Sequence, residues 1–434
     1  MKLKAVLCLA LVLLLAAGGL FAGGKQEAAK GPATERKGEL VNWTWTNKCI
    51  DEWLVPGFNK VYPNIKITTV PMSFPETHDK IFAAIAAGSG APDFATIVSD
   101  YIQKFIDQGG LVDMTDYMNK HKGEFPKYKV EMNSDKNGRI FGVPFNSAPV
   151  GLWYRKDIYD KYGIKEIETW DDYMAQAKKM IKDGVYVTSI SVAARGMDLS
   201  MHGEVGLHAL LTQQLSGSYF DKNDNPTLET KESKRAMNLM NDLVQQKVAA
   251  NVAQGSPAYY QLMDESKLAS VASAAWYINV LINFIKEGSP AFGNYRFQKL
   301  PAYDKGGSRA SNLGGAELCL FKQTPKDKQE LAMLFVDWKC ATQEGNRIHA
   351  QYGEFPSWIP SWTNPDVVNM TWPITGDQKL NAVFAEIEPL VPAWKQPPRY
   401  TEIQRILQAK MNEIFMGEKS VDQALAEAQK EASL

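Results

Sequence analysis

Residues 94–98 (Phe-Ala-Thr-Ile-Val) form a short continuous run, apolar but for Thr96, bounded by Pro92 on one side and by Ser99-Asp100 on the other. A run of this length without alternation is the pattern of a strand covered on both faces, and such strands belong to parallel sheets flanked by helices. The segments before it agree. Residues 40–46 read as a strand carrying Trp43 and Trp45, residues 53–62 have helical spacing that stops at Pro63-Asn64, and residues 65–70 alternate as a second strand. A helix through Ile81, Phe82 and Ile85 then ends at Gly88. Strand, helix, strand, helix, strand is the order of an α/β, doubly wound fold.

A second series follows. Residues 140–145 and 150–155 are strand candidates, and Thr169 opens a helix with Asp172 as the capping-box acid and Ala175, Ala177, Met180 and Ile181 along its body. Residues 185–194 read as another strand, and the chain ends on helices at 401–415 and 421–432. No internal repeat is visible. About 410 residues after processing exceed one ordinary core and suit two large domains.

Processing is expected because Lys2 and Lys4 precede an apolar run over 5–17, followed by small residues through Gly24. That order marks residues 1–24 as a secretory signal peptide. Gly18, Gly19 and the absence of flanking aromatics favour cleavage over a retained anchor, with sites after Gly18 and after Ala22 both fitting. Cys8 lies too deep in the run to be a lipoprotein cysteine. Residues 25–37 are mostly Lys, Gln, Glu, Ala, Gly and Pro and read as a flexible leader.

Balanced charge, with 48 basic against 49 acidic residues, gives no electrostatic case for nucleic acid or an anionic membrane. The mature chain keeps Cys49, Cys319 and Cys340 with no C-x-x-C spacing, which leaves room for one bridge and one free thiol but indicates neither a zinc site nor a disulfide framework. Eleven Trp, 17 Tyr and 18 Phe are more rings than core packing alone calls for, so some are expected to line a site.

Catalytic signatures are missing from the sequence: there is no H-E-x-x-H, G-x-S-x-G, P-loop or G-x-G-x-x-G. His78, His121, His202, His208 and His349 lack metal-ligand spacing, and neither a metal nor a cofactor is expected. The distant carboxylates of a glycosidase leave no local trace, so a secreted carbohydrate-active enzyme is the alternative reading.

Several fragments in order resemble the family 1 extracellular solute-binding proteins of ABC transporters, which include the maltose-binding proteins. They are LVNWTWTN from Leu40, PGFNKVYPNIKITTV from Pro56, AAIAAGSGAPDF ending at Phe94, GRIFGVPFNSAPVGLWYRKDIYDKYGI from Gly138, TWDDYMAQAKKM behind it, and MGEKSVDQALAEAQ near the end. Phe141 stands where the family usually has tyrosine and Arg155 where it has asparagine. The resemblance implies a periplasmic binding-protein fold of two α/β lobes, an N-terminal one over 38–146 and 302–345 and a C-terminal one over 147–301 and 346–434. It further implies a monomer in the periplasm that binds a mono- or oligosaccharide between the lobes and delivers it to permease subunits. A sensory receptor would share the fold and the ligand.

Sugars present hydroxyl edges and weakly apolar faces, so their sites combine polar hooks with rings. In doubly wound sheets these groups stand at the carboxyl ends of strands. The first strand is followed by Trp45, Asn47 and Lys48, the last two resembling the family's polar pair with Asn in place of the acid. Asp100 matches the family's ligand-binding acid in its spacing from Pro92-Asp93, and a helix cap at Tyr101 is its other possible role. Trp276 in ASAAWYIN resembles the family's stacking aromatic, with Ala replacing a glycine. Asn146 at the crossover and Glu317 after Gly314-Gly315 are further candidates, as are second-lobe rings at Phe355, Trp358, Trp362 and Trp394. The 195–202 loop (RGMDLSMH) has no family counterpart; its Arg195, like Lys48, could pair with a phosphate or carboxylate and admit an anionic sugar.

Overall fold

The computed structural model describes residues 33–192 and 203–434. The expected signal peptide, most of the leader and the RGMDLSMH loop with Arg195 lie outside the described residues. Of the leader, Ala33–Glu35 forms a single 3-10 turn, and Arg36 pairs with Glu330 at 3.1 Å.

Ten strands follow in chain order: β1 (Gly38–Thr44), β2 (Ile65–Pro71), β3 (Phe94–Val98), β4 (Val143–Asn146), β5 (Val150–Arg155), β6 (Thr188–Ser189), β7 (Ala249–Ala250), β8 (Ser270–Ala274), β9 (Tyr295–Lys299) and β10 (Ala316–Leu320). The first lobe is built on a sheet of order β2-β1-β3-β10-β4, in which β1 runs parallel to β2 and β3 while β10 runs antiparallel to β3 and β4. All five residues of β3 are buried. Phe94 joins a cluster with Leu40, Phe58, Leu318 and Phe335, while Ala95 and Ile97 join Ile81, Phe105 and Phe321 on the opposite face. That two-sided burial is why the run does not alternate. Each buried Phe or Ile contributes about 1.5–3 kcal/mol by leaving water.

The second lobe holds a sheet of order β8-β5-β9 and the pair β6-β7. Here β5 runs antiparallel to both neighbours, so this sheet is antiparallel throughout, whereas that of the first lobe is mixed. Period-two alternation sends Val150 and Leu152 into a cluster with Leu300, Leu407, Met411 and Leu425, and Trp153 into one with Val271, Phe297 and Phe384. The terminal helices Tyr400–Phe415 and Val421–Ala432 close the first of these clusters. At Thr169 the capping box forms as its sequence predicts: Thr169 Oγ1 accepts the Asp172 N–H at 3.1 Å and Asp172 accepts the Thr169 N–H at 3.2 Å.

Local expectations are corrected at several points. The strand expected over 140–145 begins only at Val143, because Ile140 bridges to Ser134 instead. Of the strand expected over 185–194, the described part, 185–192, pairs through Thr188 and Ser189 with the two residues of β7 and through an isolated bridge from Tyr186 to Leu268. The helix expected over 53–62 is a π-helical turn, Cys49–Leu54, that runs into the short helix Val55–Phe58. Ala302, where the chain was expected to re-enter the first lobe, bridges to Thr169 and accepts the Trp170 N–H at 3.0 Å, and Ala310 and Leu313 pack in the second lobe's clusters. Return comes at β10. The chain then stays in the first lobe past residue 345, since Ile348 of the helix Gln343–Tyr352 packs in that lobe's core. Cys49, Cys319 and Cys340 are all buried free thiols, so the possible bridge is absent.

Candidate ligand-binding cleft

Three chain segments cross between the lobes and are laced to one another. Ser147 donates its N–H to Phe355 O at 2.9 Å, Val150 donates to Ser311 O at 2.9 Å, and Leu313 donates to Ala148 O at 3.2 Å. Two glycines make the close approach possible. Gly315 has φ +90°, and a Cβ there would stand 2.8 Å from Lys129 Nζ and 3.1 Å from Asn146 O; Gly353 has φ +106° with Asn279 Oδ1 at 2.8 Å. Neither position tolerates a side chain without displacing the crossing.

Asn146 sits at the centre of this junction, only 7% exposed. Its Oδ1 accepts the Ala316 N–H at 2.7 Å, and its Nδ2 donates to Glu354 Oε2 at 2.6 Å. Glu354 takes a second amide from Asn279 at 3.1 Å. Both partners are neutral, and burial pushes the Glu354 carboxyl up to about 7. Asn146 therefore braces the crossings.

At the carboxyl end of β1, Trp45 is half-buried, edge-on to Phe74 with ring centres 5.2 Å apart and 5.1 Å from His78. His78 donates through Nδ1 to Phe74 O at 2.8 Å and accepts the Val98 N–H on Nε2 at 3.1 Å, which fixes one neutral tautomer. Burial lowers its pKa to about 4. Tyr101 stacks on its face at 4.5 Å. Asn47 is half-buried and Lys48 exposed just before the π-helical turn.

Asp100 lies in the first turn of the helix Ser99–Gln108, at the carboxyl end of β3, and makes no capping hydrogen bond there. Its carboxylate faces the second lobe, accepting Gln396 Nε2 at 2.6 Å and Gln404 Nε2 at 3.3 Å. Desolvation against that lobe raises its pKa to about 6, opposed by the two amides. Trp394, two residues before Gln396, is 8% exposed, donates its indole N–H to Tyr400 Oη at 3.2 Å and meets Tyr219 edge-on at 4.9 Å.

Trp276 caps the start of the helix Tyr277–Phe284, directly behind β8. It is half-buried, donates its indole N–H to Leu313 O of a crossing at 2.9 Å, and rests on both second-lobe clusters. Trp358 is half-buried and donates to Glu124 at 2.9 Å, a further contact between the lobes.

Phe355, Trp362 and Glu317 lie in packed interior. Phe355 is 1% exposed, stacked on Trp362 at 5.4 Å and edge-on to Phe384 at 5.6 Å. Glu317 is fully buried within β10, where its Oε1 accepts Lys129 Nζ at 2.6 Å and Ser99 Oγ at 2.9 Å. The structure thus brings Asp100 and the Trp394 segment together across the lobes, sets Trp45 and Trp276 at strand ends, and places Asn146, Glu317 and Phe355 behind them. Gln396, Gln404, Tyr128 and Glu388 carry interlobe contacts that sequence reasoning missed; only the aromatic at position 394 pointed to that stretch.

Among the described residues no group of His, Cys, Asp or Glu is arranged to hold a metal, and no helix is long and apolar enough to cross a membrane. His208 and His349, like His78, are buried.

Comparison with known proteins places these features in a family. The arabinooligosaccharide-binding protein of Halalkalibacterium halodurans is 28% identical over 341 residues, 75% of this chain and 73% of that protein. The arabinooligosaccharide-binding protein of Bacillus subtilis is 28% identical over 364 residues, 80% of this chain and 78% of that one. The fold matches the ABC transporter associated binding protein from B. animalis subsp. lactis, solved in complex with β-1,6-galactobiose, with a TM-score of 0.75 at 22% identity over 91% of this chain and 97% of the other. Residues 44–339 match the family model described as bacterial extracellular solute-binding protein, and the chain belongs to that family.

Proposed function

We propose that this chain is the solute receptor of an ABC importer, which closes its two lobes over an uncharged oligosaccharide, pentose-rich in composition, and presents the closed form to a membrane permease. The observation that carries the reading is Asp100 of the first lobe meeting Gln396 and Gln404 of the second beside three laced crossings. A site split between two bodies joined by a hinge responds to a solute by closing, and the permease can read closure without touching the solute. The names of the two 28%-identical relatives support an arabino-oligosaccharide, and the galactobiose complex of the structural neighbour supports an oligosaccharide more generally.

In this reading Trp45, Trp276 and Trp394 supply faces for sugar rings, while Asp100, Asn47, Lys48, Gln396 and Gln404 take hydroxyls. Asn146, Glu317 and Phe355 hold the walls and hinge in place. The lobes divide as 38–146 with 316–352, and 147–315 with 353–434. The protein works without catalysis, as a monomer in the periplasm, after removal of its signal peptide. Calorimetric titration of the mature chain with arabino-, galacto- and malto-oligosaccharides, with product analysis of each mixture, tests the reading. Saturable binding of an arabino-oligosaccharide that is recovered intact is the expected result. No binding by any of the three classes refutes the sugar assignment, and consumption of a bound sugar refutes the receptor assignment.

A further inference from the structure

Tyr128, Glu388 and Asn312 meet where both lobes and a crossing touch. Tyr128 stands on the helix Lys127–Met132 of the first lobe. Glu388 opens the turn Glu388–Leu390 of the second, directly behind the helix Leu380–Ile387, and Asn312 lies in the crossing that pairs with Pro149. Tyr128 Oη is 2.6 Å from Glu388 Oε1 and 3.1 Å from Asn312 Oδ1. The orientation of the Asn312 amide is set by its Nδ2, which donates to Gly314 O at 2.9 Å.

One phenol therefore faces two oxygens with a single proton to give. Both contacts are hydrogen bonds only if Glu388 carries a proton of its own: the carboxylic acid donates to Tyr128 Oη, and Tyr128 donates onward to Asn312 Oδ1. The surroundings favour that form. Glu388 is 1% exposed, and its desolvation pushes the carboxyl above the ordinary glutamate range, outweighing the hydrogen bonds that the Tyr128 and Ser147 hydroxyls would give its charged form and the charge of Lys129. Lys129 is itself bound at 2.6 Å to Glu317, with Asp100 beyond them. Burial also holds the Tyr128 phenol protonated.

We infer that Glu388 is a positioning residue that joins the two lobes as a neutral acid, so that closure takes up one proton from bulk water and opening releases it. The inference rests on the closing-receptor reading but on no particular solute. Linkage sets the sign: a carboxyl whose pKa is higher in the closed form favours closure fully below its open-state value, and that preference is lost as pH rises to the closed-state value. Between those limits the closed-to-open ratio falls about tenfold per pH unit for one proton, starting from an open-state glutamate pKa of about 4.3.

Small-angle X-ray scattering of the full mature chain without any sugar, from about pH 5 to about pH 8 across the range where a raised carboxyl titrates, reads the closed fraction directly. The wild-type chain is expected to open as pH rises. Glu388→Gln keeps a donor for Tyr128 without a titrating proton, so its closed fraction should depend on pH less steeply than wild type by the slope of one proton, Asp100 and Glu354 accounting for the remainder. Tyr128→Phe removes the shared oxygen and should lower the closed fraction at acid pH, while the slope set by the buried Glu388 carboxyl remains. Identical pH dependence in wild type and Glu388→Gln, flat or steep, overturns the inference, and so does an unchanged closed fraction at acid pH in Tyr128→Phe. Because no sugar enters the experiment, failure of the oligosaccharide assignment leaves this result readable.

Discussion

Gln396 of the second lobe donates its side-chain amide to Asp100 of the first at 2.6 Å, a hydrogen bond spanning 296 positions of sequence and the full gap between the lobes. The same carboxylate takes Gln404 at 3.3 Å, and no Lys, Arg or His among the described residues forms an ion pair with it. An anionic acceptor held only by neutral amides is a good partner for sugar hydroxyls, which are also neutral donors. Asp100→Ala should therefore weaken oligosaccharide binding tenfold or more, about 1.4 kcal/mol, in calorimetric titration. An unchanged affinity would assign Asp100 to lobe contact alone.

Trp276 combines a half-buried ring with an indole bond to the crossing at Leu313. Trp276→Ala should weaken sugar binding by well over tenfold, or roughly 1.4 kcal/mol and beyond. Partial burial limits the folding cost to about 1–3 kcal/mol, below the range for a fully buried tryptophan. Affinity comes from titration and stability from denaturant unfolding of the same preparation. A large loss of stability with unchanged affinity would make the ring a packing residue.

Phe355 gives the contrasting case. Its ring is 1% exposed between Trp362 and Phe384, so Phe355→Ala should cost about 3–5 kcal/mol of stability. Urea unfolding measures this. A cost under about 1 kcal/mol, the level of a surface substitution, would place the ring outside the core.

The Lys129–Glu317 pair is fully buried on both sides, and Ser99 Oγ donates to the same carboxylate oxygen of Glu317. Removing one partner strands a charge where water does not reach. Lys129→Met alone should destabilise by about 3–5 kcal/mol, whereas Lys129→Met combined with Glu317→Leu should cost less than the single change. Unfolding of the single and double variants closes the cycle. Additive losses would mean that the two charges are not coupled.

His208 is fully buried between Tyr219, whose hydroxyl is 2.6 Å from Nδ1, and Ser233 O at 2.9 Å from Nε2; burial lowers its pKa to about 4. The unfolded chain then binds a proton at this residue that the folded chain does not, so the contribution of His208 is present above about pH 6.5 and lost as pH falls toward 4. The destabilisation caused by His208→Gln should consequently shrink on acidification, by up to about 3 kcal/mol. Unfolding of wild type and variant across that range tests this; a constant difference would mean that His208 titrates normally in the folded state.

Much of the architecture was legible because burial writes a periodic signal. Phe94 and Ile97 mark a strand covered on two sides, and Thr169 with Asp172 marks a helix start, because each depends on neighbours close in sequence. The interlobe contacts leave no such trace. Asp100 is a candidate through its resemblance to the family's acid after Pro92-Asp93, but Gln396 and Gln404 are 296 and 304 positions away, and glutamine next to proline or on a helix carries no pattern of its own. Glu317 shows the converse failure. An acid after a glycine pair looks available to a ligand, yet the glycine that lets the chain turn also lets Lys129 reach that acid in the interior. Ala302 is a related case, since its pairing with Thr169 crosses more than a hundred residues and leaves no local pattern.

The most direct test of the account is the change in shape of the mature chain on adding an arabino-oligosaccharide, followed by small-angle X-ray scattering at fixed pH and checked by titration calorimetry. The account predicts a saturable decrease in radius of gyration that follows the calorimetric isotherm, with the sugar recovered intact and the decrease weakened in Asp100→Ala. Binding with no change in radius would contradict closure as the signal, and absence of binding would contradict the assignment of the solute.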